Sequence, residues 1–80
     1  MSKKEKLLQK IKNNPKSIRF EEIDKLLIDI GCEKRQPRGG SSHYTYTIEG
    51  ITLTIPYKRP YVKEIYVREA IALLDRLENH

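Results

Sequence analysis

Apolar residues recur at helical spacing near both ends of the chain and at alternate positions in its middle. Leu7, Leu8 and Ile11 form a short stripe that predicts a helix over residues 3–13. Asn13-Asn14-Pro15 should stop it, because a residue before proline is steered out of the helical region. Phe20, Ile23, Leu26, Leu27 and Ile30 predict a second helix. Glu21, Glu22 and Asp24 suit the positive end of its dipole, and Gly31 suits its C-terminal stop. Val67, Ala70, Ile71, Leu74 and Leu77 predict a third, C-terminal helix.

Between the second and third helices the period changes to two. His43-Tyr44-Thr45-Tyr46-Thr47-Ile48 and Ile51-Thr52-Leu53-Thr54-Ile55 flank Glu49-Gly50, which predicts a hairpin with a two-residue loop. That loop sets Ile48 opposite Ile51, Thr47 opposite Thr52, Tyr46 opposite Leu53 and Thr45 opposite Thr54, so apolar meets apolar and threonine meets threonine. Residues 32–37 supply a third strand, ended by Pro37-Arg38-Gly39-Gly40. The expected fold is α+β: a small three-stranded antiparallel sheet with helices on one face, covering the Tyr/Ile/Leu side. His43 shares the parity of Thr45 and Thr47, so it should project from the open face. Pro56 should lie opposite it and bring Tyr57, Lys58 and Arg59 to the same end.

Composition narrows the function classes. Eighty residues with 38% hydrophobic and 34% charged content fit one small globular domain. The single cysteine, Cys32, precludes an internal disulfide framework and agrees with a reducing, cytoplasmic setting. The lysine-rich start has no uninterrupted apolar run, and no stretch approaches the roughly 20 apolar residues a membrane span requires, so neither a secretory signal nor a membrane association is expected. The net charge of +5 is arranged in blocks: +6 over residues 1–20, −4 over 21–33, +5 over 34–63 and −2 over 64–80. Two basic blocks in so small a body suit a polyanion such as nucleic acid.

Chemistry centres on one histidine. His43 lies inside a predicted element, whereas the other histidine, His80, is the last residue. An exposed imidazole beside a Gly-Ser segment and Arg38, Lys58 and Arg59 suits work on a phosphodiester. It can take the proton of a ribose 2′-hydroxyl or give one to the departing 5′-oxygen. Neighbouring cations and Ser or backbone donors would stabilise charge growing on the phosphoryl oxygens. One Cys and two His do not make a four-ligand zinc site, and Arg38-Gly39-Gly40-Ser41 lacks the Gly-Lys-Ser/Thr that completes a nucleotide-binding phosphate loop, so no metal or other cofactor is expected. Cys32, beside Glu33, reads as a small buried apolar residue, and Tyr44 and Tyr46 read as core. An RNA-binding module without catalysis and a protein-interaction module stand beside the nuclease as alternatives from the residues alone.

Residues 19–77 resemble the HicA family of toxins, the mRNA-interferase half of bacterial toxin–antitoxin pairs. The resemblance rests on the Phe-containing helix ending Leu27-Ile28-Asp29-Ile30-Gly31-Cys32, the basic stretch Arg35-Gln36-Pro37-Arg38-Gly39-Gly40, and Ser42-His43-Tyr44 opening a strand. It continues through Thr54-Ile55-Pro56 and Val62-Lys63-Glu64-Ile65-Tyr66-Val67-Arg68. It implies a double-stranded-RNA-binding-domain-like order, α-β-β-β-α, over residues 17–80, with residues 1–16 a basic helical extension. It also implies a metal-independent endoribonuclease acting on mRNA with His43 as catalytic residue, restrained by a HicB-like antitoxin. Arg38, Gly40, Ser41, Ser42, Lys58, Arg59 and Lys63 are then the candidate RNA or phosphate binders. The motif reads Gly40-Ser41-Ser42-His43, one residue longer than the usual Gly-Ser-His. Where many relatives carry a histidine after the strand-three proline, this chain has Tyr57-Lys58, which makes Tyr57 a candidate second proton-transfer group.

Overall fold

The computed structural model describes residues 3–36 and 42–78, which form three helices and a three-stranded antiparallel sheet. Helix α1 spans Lys3–Asn13, α2 Phe20–Asp29 and α3 Glu64–Glu78; strand β1 spans Glu33–Arg35, β2 His43–Ile48 and β3 Ile51–Pro56. The sheet order is β1-β2-β3, which leaves β1 and β3 as its edges.

The hairpin has the register expected from its alternation: Ile48 pairs with Ile51, Tyr46 with Leu53 and Thr45 with Thr54. Glu49 and Gly50 both have positive φ, 48° and 79°, as a two-residue loop of mirror-image twist requires. Tyr46, Leu53 and Ile55 are buried, whereas Thr52 and Thr54 on the opposite face are exposed. One face therefore meets the helices and the other is open.

β1 starts at Glu33 rather than at residue 32, because the N–H of Cys32 is committed elsewhere, and Pro37 of the expected span 32–37 lies outside the described residues. The Cys32 N–H donates to the carbonyl of Leu27 (3.0 Å) while the N–H of Gly31 donates to that of Ile28 (3.0 Å). This pair of bonds, with Gly31 at φ 107°, closes α2 and leaves only Glu33–Arg35 to pair with Thr45–Thr47. Cys32 is buried, and burial pushes its thiol up.

The core draws on every helix and on the two long strands. Ile11 of α1, Ile23, Leu26 and Leu27 of α2, Tyr46 and Ile55 of the sheet, and Val67 and Ala70 of α3 are all 0% exposed. α2 begins at Phe20 with the Glu22 carboxylate accepting the backbone N–H of Arg19 (3.3 Å), which satisfies a donor at the helix start.

A polar network crosses from α2 to the sheet. The hydroxyl of fully buried Tyr46 donates to Asp24 Oδ1 (2.6 Å), and the same oxygen accepts from Lys34 Nζ (2.8 Å). A hydrogen bond to a carboxylate contributes more than a neutral one, so Tyr46→Phe should destabilise the protein by about 1–2 kcal/mol in chemical denaturation, with Asp24 keeping Lys34 as its partner. Burial, and next the hydrogen bond to Asp24, push the Tyr46 phenol well above its ordinary range. The protonated form is thus favoured in the folded state. Its contribution is intact below the unfolded-state pKa of about 10 and is lost as pH rises above it. Alkaline unfolding should therefore steepen above pH of about 10, and Tyr46→Phe should lack that component.

Candidate nucleic-acid interface

His43 is the first residue of β2 and lies opposite Pro56, the last of β3. The ladder extends one step further, where the N–H of Tyr57 donates to the carbonyl of Ser42 (2.7 Å). Parity sets His43 on the open face with Thr45 and Thr54, and it is exposed.

Beyond β3 the chain turns back across the start of α2. The N–H of Val62 donates to the carbonyl of Ile18 (2.8 Å), and both side chains are buried. This anchor holds residues 57–63 between the end of the hairpin and the beginnings of α2 and α3. Two clefts result. One, of about 270 Å³, is lined by His43, Pro56, Tyr57, Lys58, Lys63 and Tyr66. The other, of about 300 Å³, is lined by Arg19, Glu21, Lys58, Arg59 and Pro60. Lys58 belongs to both.

The sequence candidates are thereby divided. His43, Tyr57, Lys58 and Lys63 share one cleft, Ser42 is exposed next to it, and Arg59 faces the neighbouring cleft. Arg38, Gly40 and Ser41 lie outside the described residues. The Tyr57 ring packs against Phe20, with centroids 5.0 Å apart, and Phe20 in turn packs against Tyr44. The Tyr57 hydroxyl accepts a hydrogen bond from Arg59 Nε, so the phenol is oriented toward that guanidinium. That bond, and more weakly the Glu21 carboxylate, favour the charged form of Arg59.

Of the lining residues, Pro56, Tyr66, Arg19, Glu21 and Pro60 are not among the sequence candidates for the site, and Tyr66 and Arg19 show why. Tyr66 sits at the margin of the α3 core stripe, one residue before buried Val67, where a half-buried aromatic reads only as packing. Arg19 belongs to the first basic block, but its approach to Arg59 depends on the Ile18–Val62 contact between distant segments.

A larger groove of about 480 Å³ runs between the β3 edge and α3, lined by Ile51, Thr52, Leu53, Thr54, Tyr66, Glu69, Ala72, Leu73 and Arg76. It holds one carboxylate and one guanidinium and no histidine, so its size does not give it the imidazole and lysine grouping of the smaller cleft. Among the described residues no helix is long and apolar enough to cross a membrane. Compared with known protein families, curated proteins and solved structures, the chain matches none.

Proposed function

We propose that this chain is a HicA-like endoribonuclease toxin that cleaves single-stranded RNA without a metal, with His43 as the general acid or base. One observation carries the reading: the exposed imidazole of His43 shares a cleft with two lysines, Lys58 and Lys63, at the end of the hairpin. A phosphodiester in that cleft would have its charge met by the two ammonium groups. In the reaction, the 2′-oxygen forms a bond to phosphorus as the bond to the 5′-oxygen breaks. His43 accepts the 2′-hydroxyl proton or supplies the proton that leaves with the 5′-oxygen. The products are a 2′,3′-cyclic phosphate and a free 5′-hydroxyl.

The order α2-β1-β2-β3-α3 supports the double-stranded-RNA-binding-domain-like reading, with α1 added before it. A HicB-like antitoxin in the cytoplasm would restrain the toxin by covering the His43 cleft, since a face that attracts RNA also attracts an acidic protein.

The test is incubation of purified, partner-free protein with single-stranded RNA in EDTA, followed by analysis of the RNA ends. Cleavage giving 5′-hydroxyl and cyclic-phosphate ends is expected. RNA that is bound but recovered intact would replace the nuclease with a binding module, and a requirement for a divalent cation would overturn the mechanism.

A further inference from the structure

Ion pairs among the described residues include Lys10–Glu22, Lys12–Asp75, Lys34–Asp24 and Arg68–Glu64. Arg19, Lys58 and Arg59 belong to none of them, yet all three line the cleft of about 300 Å³ beside the His43 cleft. Like charges converging in one small concavity disfavour each other unless an anion joins them. A single carboxylate, Glu21, lines the same cleft, which leaves an excess of two positive charges. The cleft is also built rather than incidental. Its Arg59 wall is oriented by Tyr57, whose ring rests on buried Phe20, and the guanidinium lies 5.6 Å from the Tyr57 ring centre. Its Arg19 wall follows fully buried Ile18, which is tied to Val62. A side chain oriented as Arg59 is loses less freedom when it binds.

We propose that the Arg19–Lys58–Arg59 cleft is a second phosphate subsite, which holds a backbone phosphate of the RNA next to the one lodged beside His43. This rests on the RNA-cleaving reading above and deepens it. Lys58, the wall common to both clefts, lies between the two phosphates, and the strand runs from the open sheet face past the end of β3 toward the start of α2. The arrangement makes the substrate a single-stranded RNA of several nucleotides rather than a dinucleotide. It recognises phosphate rather than base, so it extends affinity without adding sequence preference.

The experiment measures binding of a non-cleavable 2′-O-methyl hexauridylate and of the corresponding dinucleotide across a range of salt, by fluorescence anisotropy. Arg19→Ala should weaken hexamer binding by about five-fold and make the slope of log affinity against log salt shallower by about 0.7, as expected for one lost contact to a single strand. Glu21→Gln should tighten it by about two-fold, because a carboxylate that opposes the phosphate is gone. Neither substitution should change dinucleotide binding, and Lys25→Ala, which removes an exposed charge elsewhere on α2, should change neither. Arg19 and Glu21 are exposed, so both variants should fold, with Glu21→Gln melting slightly lower because α2 loses a first-turn acid. A wild-type response from Arg19→Ala and Glu21→Gln, or an equal effect from Lys25→Ala, would overturn the subsite while leaving the His43 cleft standing. A wild-type protein that binds neither oligonucleotide would overturn both.

Discussion

His43→Ala should lower the rate of RNA cleavage by about two to four powers of ten, the contribution of a positioned proton-transfer group. It should leave RNA affinity within a few-fold of the wild type. The asymmetry follows from where the charge lies. Binding draws on Lys58 and Lys63 in the same cleft and on the phosphate backbone of the ligand, which the substitution leaves alone. His43 is exposed and opens β2 opposite Pro56, so the variant should remain folded, with its melting temperature recorded beside each assay. Cleavage assays on RNA in EDTA, paired with anisotropy on a 2′-O-methyl oligonucleotide, separate the two quantities. Undiminished cleavage by the variant would remove His43 from the chemistry. Loss of binding in parallel with cleavage would make it an RNA contact instead.

That His43 stands on the open face was legible before any coordinates, because a two-residue loop leaves no freedom in hairpin register. Once Glu49-Gly50 is the turn, Ile48 must meet Ile51 and every residue back to His43 has its face assigned. The C-terminal end of α2 was legible for a similar reason, as Gly31 stops the helix through local bonds from its own N–H to Ile28 and from that of Cys32 to Leu27. What sequence could not provide is the path of residues 57–63. Tyr57, Lys58 and Arg59 are consecutive, so they read as one basic group. Their division between two clefts depends on the hydrogen bond from Val62 to Ile18, forty-four positions earlier, and no periodicity records such a contact. The Tyr46–Asp24–Lys34 network was hidden for the same reason. Tyr46 is core by parity and Asp24 reads as a first-turn acid, and only tertiary packing joins them.

Ile11→Ala should cost about 3 kcal/mol of stability, a large fraction of what an 80-residue domain possesses. The lysine-rich composition of residues 1–16 suggests a soluble arm, but Ile11 is 0% exposed and packs in the same cluster as Ile23, Leu26 and Leu74. Two ion pairs also fasten α1, Lys10 to Glu22 of α2 and Lys12 to Asp75 of α3. Magnitudes decide between these attachments. Surface pairs of this kind contribute about 0–1 kcal/mol each and weaken with salt, whereas removing a buried isoleucine costs the transfer free energy of its side chain and leaves a cavity as well. Urea denaturation should therefore show Ile11→Ala far less stable than Lys12→Ala, with the difference little changed by adding salt. Deleting residues 1–16 should expose the α2–α3 seam that Ile11, Leu7 and Leu8 cover, and so should leave a chain that unfolds at low urea or associates. A truncated protein that melts with the full chain would make α1 a dispensable arm after all. The expected loss of cooperative folding would mean that the His43 and Arg19 clefts exist only because α1 holds α2 and α3 together behind them.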